Sequence, residues 1–294
     1  NFIIFLLCYG RRFLMNTVKK AVNQSPPAAP LSLEQKQYLQ RHRRHHHMIT
    51  GLRLMLFLAF LVIWEFSGRL GYIDTFFFSS PSLVIHCFLT MLKDGSFFLH
   101  TGITLGETLL SFFLVTLFSI LIATLLWYSR SLSEILEPYL VVLNSLPKSA
   151  LAPLFIVWLG TGTKTIVVAG ISVAVFGSII NLYTGFIHVD KEKLKLIYTL
   201  GGNRFQAFHK VVLPSSIPVI LSNMKVNIGL SLVGVIIGEF LAARVGLGYL
   251  IIYGSQVFKL GMVITSIIIL CIIAMGLYQA VQYLEHFYKN KTAS

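Results

Sequence analysis

Charge is what this sequence most lacks. Only 12% of its 294 residues are Asp, Glu, Lys or Arg, against about 25% in an ordinary soluble domain. Acid is scarcer than base: 11 Asp and Glu stand against 24 Lys and Arg, a formal net charge of +13. So little charge cannot cover a soluble surface, and the mean hydropathy is +0.76. The excess of base is therefore read as membrane topology and not as nucleic acid binding. Cysteine is also scarce. Cys8, Cys87 and Cys271 lie far apart without metal-type spacing, so neither a disulfide framework nor a cysteine metal site is implied. No Gly-Lys pair occurs, so no phosphate-binding loop of the Gly-x4-Gly-Lys type can form. The nearest stretch, "GTGTKT" at 160–165, is read as a tight external turn. HExxH and GxSxG are absent too, and no catalytic set or metal site is expected.

What the chain does have is apolar length. A spanning helix needs about 20 mostly apolar residues. Six candidates fall near 48–66, 102–128, 138–158, 164–187, 214–242 and 261–284. The expected fold is an all-α integral membrane protein with about six transmembrane helices. Residues 1–47 read as a largely flexible tail, with one short helix near "LEQKQYLQ". Met15 is the expected start, with 1–14 upstream of it. The run "RHRRHHH" (41–47) reads as a juxtamembrane positive anchor. Residues 67–101 form an external or interfacial segment holding a short helix, 102–285 the transmembrane core, and 286–294 a second tail. The excess of Lys and Arg falls on one set of loops, which puts both termini in the cytoplasm.

One wet segment interrupts the apolar core between the fourth and fifth spans. In "KEKLKLIYTLGGNRFQAFHKVVLPSSIP" the residues Leu194, Ile197 and Leu200 make one helical stripe, and Phe205, Phe208 and Val212 a second. Gly201 and Gly202 permit a turn between them. Asn203 suits an N-cap, and Pro214 the first turn of the next helix. The spacing predicts a helix–turn–helix elbow over 191–214; an ordinary connecting loop is the plain alternative.

This segment resembles the cytoplasmic loop signature of membrane subunits of ATP-binding-cassette importers. Gly201 fits the signature glycine, Val211 replaces its Ile nine residues on, and Leu213-Pro214 complete it. Its Glu-Ala-Ala positions fall on Lys195, Leu196 and Ile197, so that part is absent. The stretches 79–95, 143–165 and 238–251 resemble permeases of the nitrate, sulfonate and taurine type. The resemblance covers roughly residues 79–285. It implies a type I importer permease, with its coupling segment at 188–213, in a bacterial cell membrane. By the same resemblance, the subunits pair as a homodimer and take substrate from an external binding protein. ATP and Mg are held by cytoplasmic ATPase subunits and this chain has no cofactor of its own. Gly201, Gly202, Arg204, Phe205, Val211, Leu213 and Pro214 are the residues expected to couple to the ATPase.

Ionisable residues inside spans are functional candidates. Lys148 sits between Pro147 and Pro153, which should break the third helix. Lys225 and Glu239 are fourteen residues apart on one span, hence nearly on one face. All three are candidates for the translocation path, with interhelical pairing or snorkelling as the plain alternatives. Glu107 lies near the outer end of the second span. "GLGYLI" (246–251) reads as an external re-entrant turn with no helix after it. A stand-alone carrier driven by an ion gradient is the second function class. Nitrate, sulfonates, taurine and thiamine-type precursors stay open as substrates.

Overall fold

A computed structural model describes residues 33–72 and 78–292. Among these residues all regular structure is helical. Five helices are long and apolar enough to cross a membrane, six if one sharply bent pair counts as a span. The stretch 1–14, expected to lie upstream of the start, the start at Met15 and Cys8 lie outside the described residues. The chain divides into two compact units, Asn1–Leu83 and Val84–Ser294.

In the first unit, helix α1 (Leu33–Arg69) holds the span Met48–Arg69. Its apolar side chains, Met55 and Ile63 among them, are exposed, as lipid contact requires. The helix begins well before the apolar run: the short helix expected near 33–40 is there, and it continues through 41–47 where a flexible tail was expected. The stretch 33–47 has no Gly or Pro and is rich in Leu, Glu, Gln, Lys and Arg, all good helix formers. Near its end Glu65 accepts from Arg69 Nε at 2.7 Å and from the Ser82 N–H at 3.1 Å.

The second unit is built on three long helices: α3 (Ser96–Tyr128), α6 (Thr163–Ile187) and α9 (Leu213–Ala242). Helix α6 packs most extensively on the other two. Small residues set the approach. A Cβ on Gly234 would lie 2.7 Å from the Gly170 Cα, and one on Gly238 2.9 Å from the Ile166 Cα. With no hydrophobic drive between helices in lipid, such backbone-close packing is what holds spans together. Buried Ser111, Ser119 and Ser178 line the same interfaces and bond to backbone carbonyls or to Asn223 and Asn227.

Helix α2 (Pro81–Lys93) is the short helix expected before the core. The third span is not one helix. It is α4 (Arg130–Ser145) and α5 (Lys148–Leu159), bent by 96°. Pro147 cannot donate to α4 and holds Leu146 in extended backbone at ψ 139°. Pro153, the second expected breaker, is accommodated inside α5. "GTGTKT" forms the predicted turn, with the Gly162 N–H bonded to the Ala242 carbonyl at 3.1 Å. A second correction concerns "GLGYLI": it opens a helix, α10 (Leu247–Gln256), which packs on the last span, α11 (Leu260–Thr292). Between α6 and α9 run the short helices α7 (Lys191–Thr199) and α8 (Arg204–Ala207).

Candidate coupling site

The elbow forms for reasons written in its residues. Asp190 caps α7, its Oδ1 accepting from the Glu192 N–H at 2.9 Å. At the other end the Gly202 N–H reaches the Ile197 carbonyl at 2.9 Å and the Gly201 N–H the Tyr198 carbonyl at 3.0 Å. This is a Schellman ending, and it needs Gly201 at φ +78°. Gly202 is required for a different reason. A Cβ there would meet Ile197 Cγ2 at 2.5 Å and the Ile197 carbonyl at 2.8 Å. Asn203 then caps α8 in a reciprocal box with Gln206.

The predicted helix–turn–helix forms as α7, the glycine turn and α8; the departure is that no new helix starts at Pro214. Residues Arg204–Ala242 run on as one rod, through a π-helical turn at Phe208–Val212. Pro214 does lie in the first turn of α9. It has no N–H for the Lys210 carbonyl, and its ring crowds that group. The turn ahead of it widens, and the Leu213 N–H bonds to the Phe208 carbonyl five residues back.

The elbow has a buried root and an exposed crest. Phe208 and Val212 are buried with Ala123, Leu182 and Phe186. The Phe208 ring lies 5.2 Å from Trp127, 5.7 Å from Tyr128 and 5.7 Å from Phe186. Val211 and Leu213 are half-buried against this cluster and Pro214 is exposed. On the crest, α7 has no buried residue; Leu200 is 75% exposed and Phe205 65%. Phe205 stacks on His209 at 6.0 Å. Arg204 turns back to the end of α3: Nη2 donates to the Trp127 carbonyl at 3.1 Å and the guanidinium lies 5.5 Å from the Trp127 ring centre. The aromatic root was missed from sequence. Its signal was "WY" at the end of the second span, where interfacial aromatics belong.

The three in-span charges are not brought together. Lys148 is half-buried and donates to the Leu143 and Asn144 carbonyls, so it caps α4 across the bend. Lys225 pairs with Glu285 of α11. Glu239 is buried inside the unit, where it accepts from Thr104 Oγ1 at 2.6 Å and from the Gly248 N–H at the start of α10. Lys225 and Glu239 thus face different neighbours. Among the described residues no group of three or more His, Cys, Asp or Glu could hold a metal.

Residues 115–286 match the family described as binding-protein-dependent transport system inner membrane component. The chain belongs to that family. As a member it is a multi-pass membrane protein and the permease subunit of an ATP-binding-cassette importer, a transport subunit by kind. Among curated permeases it is 30% identical over 244 residues to the riboflavin transport system permease protein RibX of Chloroflexus aurantiacus, covering 83% of this chain and 91% of that one. It is 27% identical over 243 residues to the putative aliphatic sulfonates transport permease protein SsuC of Bacillus subtilis, 83% and 87% of the two chains. The fold matches that of the inward-facing MetNI methionine ABC transporter, with a TM-score of 0.55 at 18% identity over 63% of this permease and 92% of that chain. The gradient-driven carrier therefore gives way to the importer subunit. Permeases of this kind work with an ATPase and a substrate-binding protein.

Proposed function

We propose that this permease takes up a small solute bearing an anionic group, of the sulfonate, taurine or nitrate kind, and works as a homodimer. Two ATPase subunits, which hold ATP and Mg, dock on the elbows from the cytoplasm, where both termini also lie. An external binding protein delivers the solute. Closure of the ATPases pushes the elbows and switches the paired permeases between inward- and outward-facing states. Gly201 and Gly202 set the elbow's angle, Phe205 meets the ATPase, and Arg204, Val211, Leu213 and Pro214 tie the crest to its root.

The observation that carries this reading is the contrast across the elbow. Apolar Leu200 and Phe205 stand in water at the tip, while Phe208 and Val212 are locked among three spans at the base. Exposed apolar side chains on a rigid support mark a surface built to be covered. The excess of base on the loops of that side supports the cytoplasmic placement. The anionic class rests on the sulfonate permease among the relatives.

Affinity purification from membranes in mild detergent, with mass spectrometry, tests it. An ATPase is expected with the native chain and is expected to be lost with Gly201→Asp, which puts a side chain at φ +78°. The recovered binding protein is then screened for solutes. Recovery of the same ATPase with both chains would remove the elbow as the coupling element.

A further inference from the structure

At the elbow's base the structure forms an open, solvent-facing cavity of about 920 Å³ between the α3–α4 corner, the end of α6, and α7. Its lining is more apolar than polar, with Leu126, Ile187 and Leu194 among it, and its charged groups are mostly basic. Arg130, Lys191 and Arg204 face it, with Trp127, Tyr183 and Tyr198, against one carboxylate, Asp190. That carboxylate is already engaged in capping α7. The cations keep capacity for a ligand. Arg204 spends one N–H on the Trp127 carbonyl and has four more. Arg130 uses Nε on exposed Glu134 at 2.9 Å, leaving its two terminal nitrogens. Lys191 is exposed and makes no ion pair among the described residues. The cavity lies where α3 ends in Trp127 and Tyr128, the level at which a span leaves hydrocarbon for headgroups.

From this juxtaposition we infer that the cavity binds a phosphate group, carried by an acidic phospholipid headgroup or by a soluble phosphate compound. Guanidinium groups match phosphate oxygens in paired, charge-assisted hydrogen bonds. Basic pockets between spans beside an aromatic belt suit lipid headgroups. A phosphate here would tie the α3–α4 corner to α7 and brace the elbow from beneath. The proposal needs only that the chain spans a membrane and goes beyond the importer reading.

The test uses the full chain purified in dodecyl maltoside. It is mixed with phosphatidylglycerol or phosphatidylcholine, and retained lipid is counted by native mass spectrometry. A parallel arm measures inorganic pyrophosphate binding by calorimetry. Arg130→Gln/Lys191→Gln removes two cavity cations, and Lys193→Gln/Lys195→Gln removes two exposed cations of α7 outside the cavity. All four side chains lie at the surface, and equal melting temperatures check the fold. Phosphatidylglycerol should be retained over phosphatidylcholine, and retention should fall about tenfold in the cavity variant alone. The same pattern with pyrophosphate instead would assign a soluble source. Equal losses in both variants, or no loss in either arm, would overturn the site. Neither ATP hydrolysis nor transport is read, so this result stands apart from the fate of the importer reading.

Discussion

At Glu239 a carboxyl group 1% exposed is the acceptor that fixes the entry to α10. Thr104 joins the same knot, accepting the Leu247 N–H at 2.9 Å while donating to Glu239. Glu239→Leu would bury the Gly248 N–H and the Thr104 hydroxyl without that acceptor, at about 1–3 kcal/mol each. Its melting temperature in detergent should fall by several degrees, and Glu239→Gln, which keeps one oxygen, should recover part of the loss. An unchanged melt for Glu239→Leu would mean the knot contributes little. Lys225 gives a second residue-scale prediction. Its pair with Glu285 bridges α9 and α11 at side-chain exposures of 19% and 11%. Lys225→Met alone should destabilise more than Lys225→Met/Glu285→Met, with a coupling of about 1–3 kcal/mol in a double-mutant cycle. Additive losses would show that the two side chains do not support each other.

Phe205 and Phe208 stand three residues apart on the elbow and should behave as opposites. Phe208→Ala empties a buried aromatic cluster, at about 3–5 kcal/mol, and should lower the melting temperature sharply. Phe205→Ala removes a ring exposed to water. It should leave the melt nearly unchanged and weaken recovery of the ATPase. If Phe205→Ala recovers ATPase as well as the native chain does, the crest is not the docking surface. Much at this scale was legible. The apolar runs mark the spans, Gly201 ends α7 as its φ demands, and Asn203 and Pro214 sit where capping and proline rules place them. Continuity was harder to read. Pro214 looks like a helix start, yet a π-turn lets the rod pass through it. The "GLGYLI" helix was missed because its first N–H groups are satisfied by side chains outside it, Thr104 far back in the sequence and Glu239 nine residues before Gly248. The bend before Lys148 was half legible: proline predicts a break, but only the backbone yields its 96°.

For the whole molecule, the decisive interface is α6 against α9. Gly234→Leu should prevent their approach, since even a Cβ there meets Gly170 Cα and the Ala169 carbonyl within 2.8 Å. The expected outcome is loss of a monodisperse peak on size exclusion. Gly229→Leu, one helix face away with nothing within 4 Å of its Cβ, should preserve the peak. Matching profiles for the two variants would refute close glycine packing as the organising contact. The interface matters because α9 is the far end of the rod that starts at Arg204. The π-turn at Phe208–Val212 gives that rod a built-in gear tooth. A π-turn holds one residue more than an α-helical turn, so absorbing that residue into α-helical register would turn α9 by about 100° and advance it by roughly 1.5 Å. The far end of the rod would then move as a screw, with the direction of twist set by the handedness of the helix itself.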